Sequence, residues 1–179
     1  GIRCPETMPV IGWVGDGYAH RHNLEYFAKL LMQFVHELPP CRLRLVGVLA
    51  YRKEIKSMFS FLDDRLDLID WIIPVEIPKI ISSFSVGIMP LLADEFNAGK
   101  SGLKILEYMT AGIPVVASNV GENKLIVDPP KHGFIACSEE DWRNYLNMIL
   151  TNPDMCKQIG NRGRAFIDAH YDRFTVYSQ

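Results

Sequence analysis

Short apolar runs alternate with longer amphipathic segments along almost the whole chain, and this alternation constrains the fold most strongly. Runs of strand length lie at residues 10–15, 42–48, 66–71, 85–91, 114–118 and 133–136. Segments with helical spacing of apolar residues separate or follow them, at 23–38, 52–62, 78–83, 101–111, 138–151 and 154–170. Apolar strands separated by helices predict an α/β fold, a Rossmann-like parallel sheet of about six strands with helices on both faces.

Composition indicates one ordinary globular domain spanning residues 1–179, with 48% hydrophobic and 22% charged residues. The net charge of −2 indicates no strong attraction to nucleic acid. No apolar run is long enough to span a membrane. Four cysteines without metal-type spacing are expected to be reduced thiols, which predicts a cytoplasmic protein; they are Cys4, Cys41, Cys137 and Cys156.

The ends of the predicted strands indicate where a ligand would bind. In open parallel sheets, ligands lie outside the carboxyl ends of the strands, which selects the loops at residues 15–23, 47–52, 91–102 and 118–122. Gly15 and Gly17 form part of a dinucleotide-binding fingerprint and predict a tight turn close to phosphate.

Residues 91–118 carry the most informative pattern. The predicted helix begins near Ser101 and Gly102, where small residues and unpaired N–H groups suit an anion. Lys100, Lys104 and Glu107 have i, i+4, i+7 spacing and would share one face. The ammonium groups suit a diphosphate and the carboxylate suits a ribose diol. The alternative is an ordinary surface ion pair.

The same segment resembles the C-terminal domain of the group 1 (family 4) retaining glycosyltransferases of GT-B fold. Glu107 matches the second of two glutamates in the family pattern. The match continues through Tyr108-Met109, Gly112, Pro114, Val115, Val116, Ala117, Ser118 and Val120-Gly121, and extends to residues 11–15, Gly133-Phe134, Trp142 and residues 152–171.

The resemblance implies a nucleotide-sugar-binding domain of a hexosyltransferase. Glu107 would bind the ribose, while Lys100, Lys104 and the backbone N–H groups from Ser101 to Leu103 would stabilise the departing diphosphate. The donor would be a UDP-, GDP- or ADP-sugar, used without an obligatory metal or other cofactor.

The family's acceptor half is expected to be a separate N-terminal domain, absent from this chain, whose first residue is not methionine. It would hold a sugar, lipid-linked or other acceptor, and peripheral membrane association of the full-length protein is compatible with that. The chain alone is expected to be inactive.

Two departures from the family pattern affect the predicted site. The first family glutamate, which contacts the donor sugar, falls on Gly99, so Asp94 or Glu95 would have to replace it. The family's diphosphate-binding Arg and Lys fall near Arg21 and His22. His20 and His22 are expected to be solvated loop residues rather than metal ligands.

Two other function classes remain open at this point. A nucleotide-sugar epimerase resembling the UDP-N-acetylglucosamine 2-epimerases would have the same fold and need no acceptor. A non-enzymatic nucleotide-sensing or phospho-receiver module would need acidic residues clustered after its first and third strands. Asp16 and Asp70 meet that requirement only loosely.

Overall fold

Six parallel strands form the centre of the protein. The computed structural model describes residues 8–171, and the sheet order is β3-β2-β1-β4-β5-β6, with every neighbouring pair parallel. The strands are β1 (Val10–Val14), β2 (Arg42–Val46), β3 (Leu66–Ile69), β4 (Val86–Met89), β5 (Val115–Ser118) and β6 (Gly133–Ala136). The predicted fold class is therefore confirmed.

Helices connect the strands and cover the sheet. They are α1 (Arg21–Phe34), α2 (Arg52–Met58), α3 (Ile77–Ile81), α4 (Glu95–Ala98), α5 (Leu103–Thr110), α6 (Asn123–Ile126), α7 (Glu139–Thr151) and α8 (Pro153–His170), with 3-10 turns at Leu49–Tyr51, Ser60–Arg65 and Pro74–Glu76. The sequence does not predict α4 or α6, because four residues are too few to show helical periodicity.

Each strand contributes side chains to apolar layers on both faces of the sheet. In β1, Ile11 and Trp13 pack in one core cluster, while Val10 and Val14 pack in the other. The first cluster includes residues of α1, α2 and α7, and the second includes residues of α3 and α5. Because successive side chains of a strand point to opposite faces, burial on both sides makes β1, β4 and β5 almost wholly apolar. The strands β2 and β3 carry Arg44 and Asp67, which pair with each other.

The strands β1 and β4 are paired only over their first residues. The register joins Ile11 to Val86 and Gly12 to Gly87. Further along, the Val14 N–H donates to the Tyr108 hydroxyl at 3.2 Å, and that hydroxyl donates to the Ile88 carbonyl at 3.4 Å. The fully buried phenol of α5 therefore bridges the two strands beyond their last pair, where the strand order reverses.

The strand-length run at residues 66–71 predicts a strand that includes a packed Trp71, and this prediction is wrong for Trp71. The edge strand β3 ends at Ile69, and the Trp71 side chain is 71% exposed. Ile73 and Val75 in the following segment are also exposed. An apolar run therefore identified the strand but not its end, because the residues after an edge strand are not covered by a neighbouring element.

The sequence predicts reduced cysteines and no segment that spans a membrane. Cys41, Cys137 and Cys156 form no disulfide, and Cys4 lies outside the described residues. Between residues 8 and 171, every helix is too short or too polar to cross a bilayer.

The bridge made by Tyr108 predicts a measurable stability effect. We expect Tyr108→Phe to lower the free energy of unfolding by about 1–3 kcal/mol, because the buried Val14 N–H loses its acceptor. Urea denaturation followed by circular dichroism measures this change. Tyr145→Phe is the control, since Tyr145 is half-buried and its ring stacks on Phe134. Equal stability of the two variants would contradict the bridging role.

Candidate functional site

The candidate site lies at the carboxyl ends of β1 and β4. The sheet order places β1 between β2 and β4, so the connections from β1 and β4 leave on opposite faces at this point. Such a reversal opens a crevice in a doubly wound sheet. The loop after β1 and the segment between β4 and α5 border it.

Lys104 lies in this crevice. Its side chain passes so close to Gly15 that a Cβ added to the glycine would lie 2.6 Å from Lys104 Cε. The Lys104 ammonium group is 3.2 Å from Nε2 of His20 and 5.9 Å from the centroid of the Trp13 ring. Lys104 is far from Gly15 and His20 in sequence, so the packing of α5 beside the end of β1 creates these contacts.

The charge of Lys104 is held in a partly desolvated place. Burial, with a smaller effect of the Lys100 ammonium, lowers the pKa of Lys104 to about 8, and Glu107 and Asp16 oppose that shift. Burial raises the pKa of Glu107, and the Lys104 charge opposes it. Weak hydration increases the attraction of such an ammonium group for an anion.

Lys100 is not on the helix that carries Lys104. Because α5 begins at Leu103, the predicted i, i+4, i+7 face contains only Lys104 and Glu107. Lys100 precedes the helix, and its ammonium group lies 4.6 Å from the centroid of the Phe96 ring. The two ammonium groups are still close enough to repel each other, since Lys100 helps to lower the pKa of Lys104.

The start of α5 differs from the anion site expected there. The Gly102 N–H donates to Oε2 of Glu122 at 3.0 Å, so a carboxylate already occupies that donor. A Cβ on Gly102 would lie 2.0 Å from Cδ1 of Ile126, which means that the glycine admits an apolar side chain rather than a phosphate. Ser101 and Leu103 on either side are exposed.

The other predicted phosphate contacts have local partners. Gly17 is buried and its N–H donates to the Gly47 carbonyl at 2.9 Å, which joins the loops after β1 and β2. The Arg21 guanidinium lies 4.5 Å from the centroid of the Tyr18 ring and donates to the Tyr18 carbonyl. Arg21 is the first residue of α1.

The two candidates for the missing glutamate have different environments. Asp94 caps α4, because one oxygen accepts the Asn97 N–H at 2.7 Å and the other accepts from the Asn97 amide at 2.9 Å. Glu95 is exposed in the first turn of α4. Asp94 therefore caps the helix, whereas the Glu95 carboxylate does not.

The expectation that His20 is solvated is wrong, although His22 is exposed as expected. His20 is 6% exposed, and its ring makes an edge contact with Trp13 at 5.5 Å between centroids. Burial, followed by repulsion from Lys104 and Lys100, lowers its pKa to about 3. Within residues 8–171, no three His, Cys, Asp or Glu side chains are grouped to hold a metal ion.

Several residues that shape the site were not selected from sequence. The Tyr108 hydroxyl binds the Val14 N–H of β1, and the Glu122 carboxylate accepts the Gly102 N–H. The side-chain amides of Asn23 and Asn97 join the two borders of the crevice at 2.8 Å. A tyrosine within an apolar helix and single asparagines within α1 and α4 suggest nothing by themselves. The one usable signal is that a polar residue on a buried helical face requires a partner.

The strand order also bears on the receiver hypothesis. Because β2 separates β1 from β3, the ends of these two strands are not neighbours. Asp16 accepts the N–H groups of Tyr18 and Ala19, and Asp70 pairs with Arg52. The two carboxylates therefore have separate structural partners and do not form the acidic cluster of a receiver.

Solved structures with the same fold include several glycosyltransferases. Sucrose-phosphate synthase from Thermosynechococcus elongatus superimposes with a TM-score of 0.80 at 24% identity, over 97% of this chain and 44% of that one. Anabaena HepE in complex with UDP-glucose gives 0.73 at 20%, over 95% and 46%. The C-terminal domain of the Francisella tularensis group 1 protein LpcC gives 0.70 at 18%, over 93% and 89%.

Sequence comparisons point in the same direction. Spore coat protein SA of Bacillus subtilis (strain 168) is 23% identical over 129 residues, which cover 68% of this chain and 32% of that protein. The chain thus spans about a third of this curated relative. The family model described as "Glycosyl transferases group 1" matches residues 8–152, most of the chain. The chain belongs to the family of group 1 glycosyl transferases.

Proposed function

We propose that this chain is the donor-binding domain of a glycosyltransferase and binds a nucleoside diphosphate sugar in the crevice between β1 and β4. The observation that carries the proposal is the Lys104 ammonium group, partly desolvated and in contact with the loop after β1 at the sheet's reversal point. A half-buried ammonium group beside a glycine turn is well placed to bind a phosphate.

The electrostatic task is the stabilisation of the leaving diphosphate. Negative charge accumulates on the diphosphate as the glycosidic bond breaks, and fixed positive groups lower the energy of that state. Lys104 supplies the nearest ammonium group, and Lys100 supplies a second. The N–H groups of Ser101 and Leu103 at the start of α5 would add dipoles, without an obligatory metal.

Glu107 would hold the ribose. It follows Lys104 by three residues, so the two side chains are neighbours on the surface of α5. Its carboxylate is half-buried, which favours exchange of water for a diol that donates two hydrogen bonds.

The remaining predicted contacts complete the donor site. Gly15 would leave room for the Lys104 side chain and Gly17 would let the loop after β1 pack against Gly47, so both would shape the diphosphate site. Arg21 at the start of α1 would add a cation at its border. Glu95 in the exposed first turn of α4 would contact the donor sugar. Gly102 would contribute by allowing close packing at the start of α5 rather than by donating its N–H.

The reaction would need an acceptor domain. The chain covers less than half of the sucrose-phosphate synthase and HepE chains but most of the LpcC C-terminal domain. This supports the hypothesis of a C-terminal half whose N-terminal partner binds a sugar or lipid-linked acceptor. The family match favours sugar transfer over the epimerase alternative.

A ligand panel tests donor binding directly. We expect isothermal titration calorimetry with UDP, GDP, ADP and their glucose conjugates to detect one preferred nucleoside diphosphate. HepE was solved with UDP-glucose, which favours uridine. Lys104→Met should weaken that ligand at least about tenfold, because a charge-assisted hydrogen bond contributes about 1.5–3 kcal/mol.

Two controls separate the residue roles. Lys157→Met removes an exposed lysine of α8 and should leave affinity unchanged. Glu107→Gln should weaken the nucleoside diphosphate but not inorganic pyrophosphate, which has no ribose. If no diphosphate binds at millimolar concentration, the isolated chain does not bind donor. Equal binding by Lys104→Met and wild type would remove Lys104 from the site.

The pKa of Lys104 predicts the pH dependence of binding. The ammonium form predominates below about pH 8 and is lost as the pH rises through that value. Affinity for the diphosphate should therefore be constant near pH 7 and fall several-fold by pH 9, whereas Lys104→Met should lack this decrease. Calorimetry at constant ionic strength measures it, and a flat wild-type profile from pH 7 to 9 would contradict the prediction.

A further inference from the structure

The contact between Lys104 and His20 joins the two borders of the crevice. Nζ of Lys104, on α5, lies 3.2 Å from Nε2 of His20, the residue before α1. An ammonium group only donates hydrogen bonds, so the Nε2 lone pair is the acceptor. The four-carbon lysine stem is flexible, and an acceptor at a fixed position restricts where its charge lies.

Several contacts hold the His20 ring in place. Its backbone N–H donates to the Asp16 carbonyl, and its carbonyl accepts the Leu24 N–H. The ring meets the edge of Trp13, a side chain that is 1% exposed. With Nε2 as the acceptor, the neutral ring carries its proton on Nδ1, so the Asn23 amide nitrogen 3.5 Å away contacts the ring without a hydrogen bond.

Asn23 connects this arrangement to the opposite border. Its amide nitrogen donates to Oδ1 of Asn97 at 2.8 Å, and its amide oxygen accepts the Leu92 N–H at 2.9 Å. Asn97 is itself bound by the capping carboxylate of Asp94. These bonds fix the start of α1, directly after His20, to the segment between β4 and α5.

We propose that His20 is a positioning residue, which uses its neutral Nε2 to direct the Lys104 ammonium group toward a diphosphate in the crevice. This inference rests on the proposed function for the identity of the ligand. The contact between His20 and Lys104 does not itself require a bound ligand. The charges of Lys100 and Asp16 influence the pKa values of both His20 and Lys104. The Glu107 charge influences the pKa of Lys104.

The ring remains neutral wherever Lys104 titrates. Burial and the neighbouring ammonium groups hold the pKa of His20 at about 3, well below the value of about 8 for Lys104. From about pH 5 to 8 the pair is consequently a neutral acceptor and a charged donor. Such a hydrogen bond favours the charged form of the lysine and so opposes the loss of its proton.

Paired substitutions test this role. His20→Phe keeps a ring against Trp13 but removes the acceptor, and His20→Gln replaces the ring by an amide oxygen of similar reach. We expect His20→Phe to weaken UDP binding about fivefold and to move the high-pH loss of binding roughly half a pH unit lower. His20→Gln should restore most of both properties. His20→Leu provides a second variant without an acceptor if the phenylalanine variant does not fold.

A measurement without ligand separates this proposal from the proposed function. NMR titration of the lysine side-chain carbons, with Lys104→Met for assignment, reports the pKa of Lys104 in the unliganded chain. A lower midpoint in His20→Phe, restored in His20→Gln, supports the positioning role even if UDP does not bind. An unchanged midpoint in the variants that lack an acceptor overturns it. A uniform loss of affinity at every pH, with no shift of the midpoint, also overturns it.

Discussion

The incomplete pairing of β1 with β4 is the feature on which the site depends. Two strands that continued to pair would leave no opening at the centre of the sheet. Here the Tyr108 hydroxyl of α5 satisfies Val14 on one strand and Ile88 on the other beyond their last pair. The Val14 N–H and the Ile88 carbonyl therefore both keep a partner, and leaving either unpaired in the interior would be costly.

That same helix brings Lys104 to the crevice. Tyr108 follows Lys104 by four residues, so both side chains lie along one side of α5. The phenol is fully buried at the base of the crevice, while the ammonium group lies nearer the loop after β1. One helical face thus combines an apolar anchor, a hydrogen bond to the sheet and a partly desolvated charge.

Polar side chains near the starts of α1, α4 and α6 hold the borders of the crevice together. Asn23 and Asn97 join the region after β1 to the region after β4, and Glu122 joins the start of α5 to the loop after β5. These contacts connect residues 20 to 74 positions apart. A ligand that binds between the loops would meet positions already ordered, which lowers the entropic cost of binding.

The sequence by itself determined the α/β class, the strand positions and the segment that carries the site, because burial on both faces makes the strands rich in apolar residues. Local periodicity also identified Lys104 and Glu107 as neighbours. Only the tertiary structure decided that Glu122 accepts the Gly102 N–H and that His20 is buried against Lys104. These facts depend on side chains brought together across the sheet, and no pattern within one segment encodes the distance between two segments.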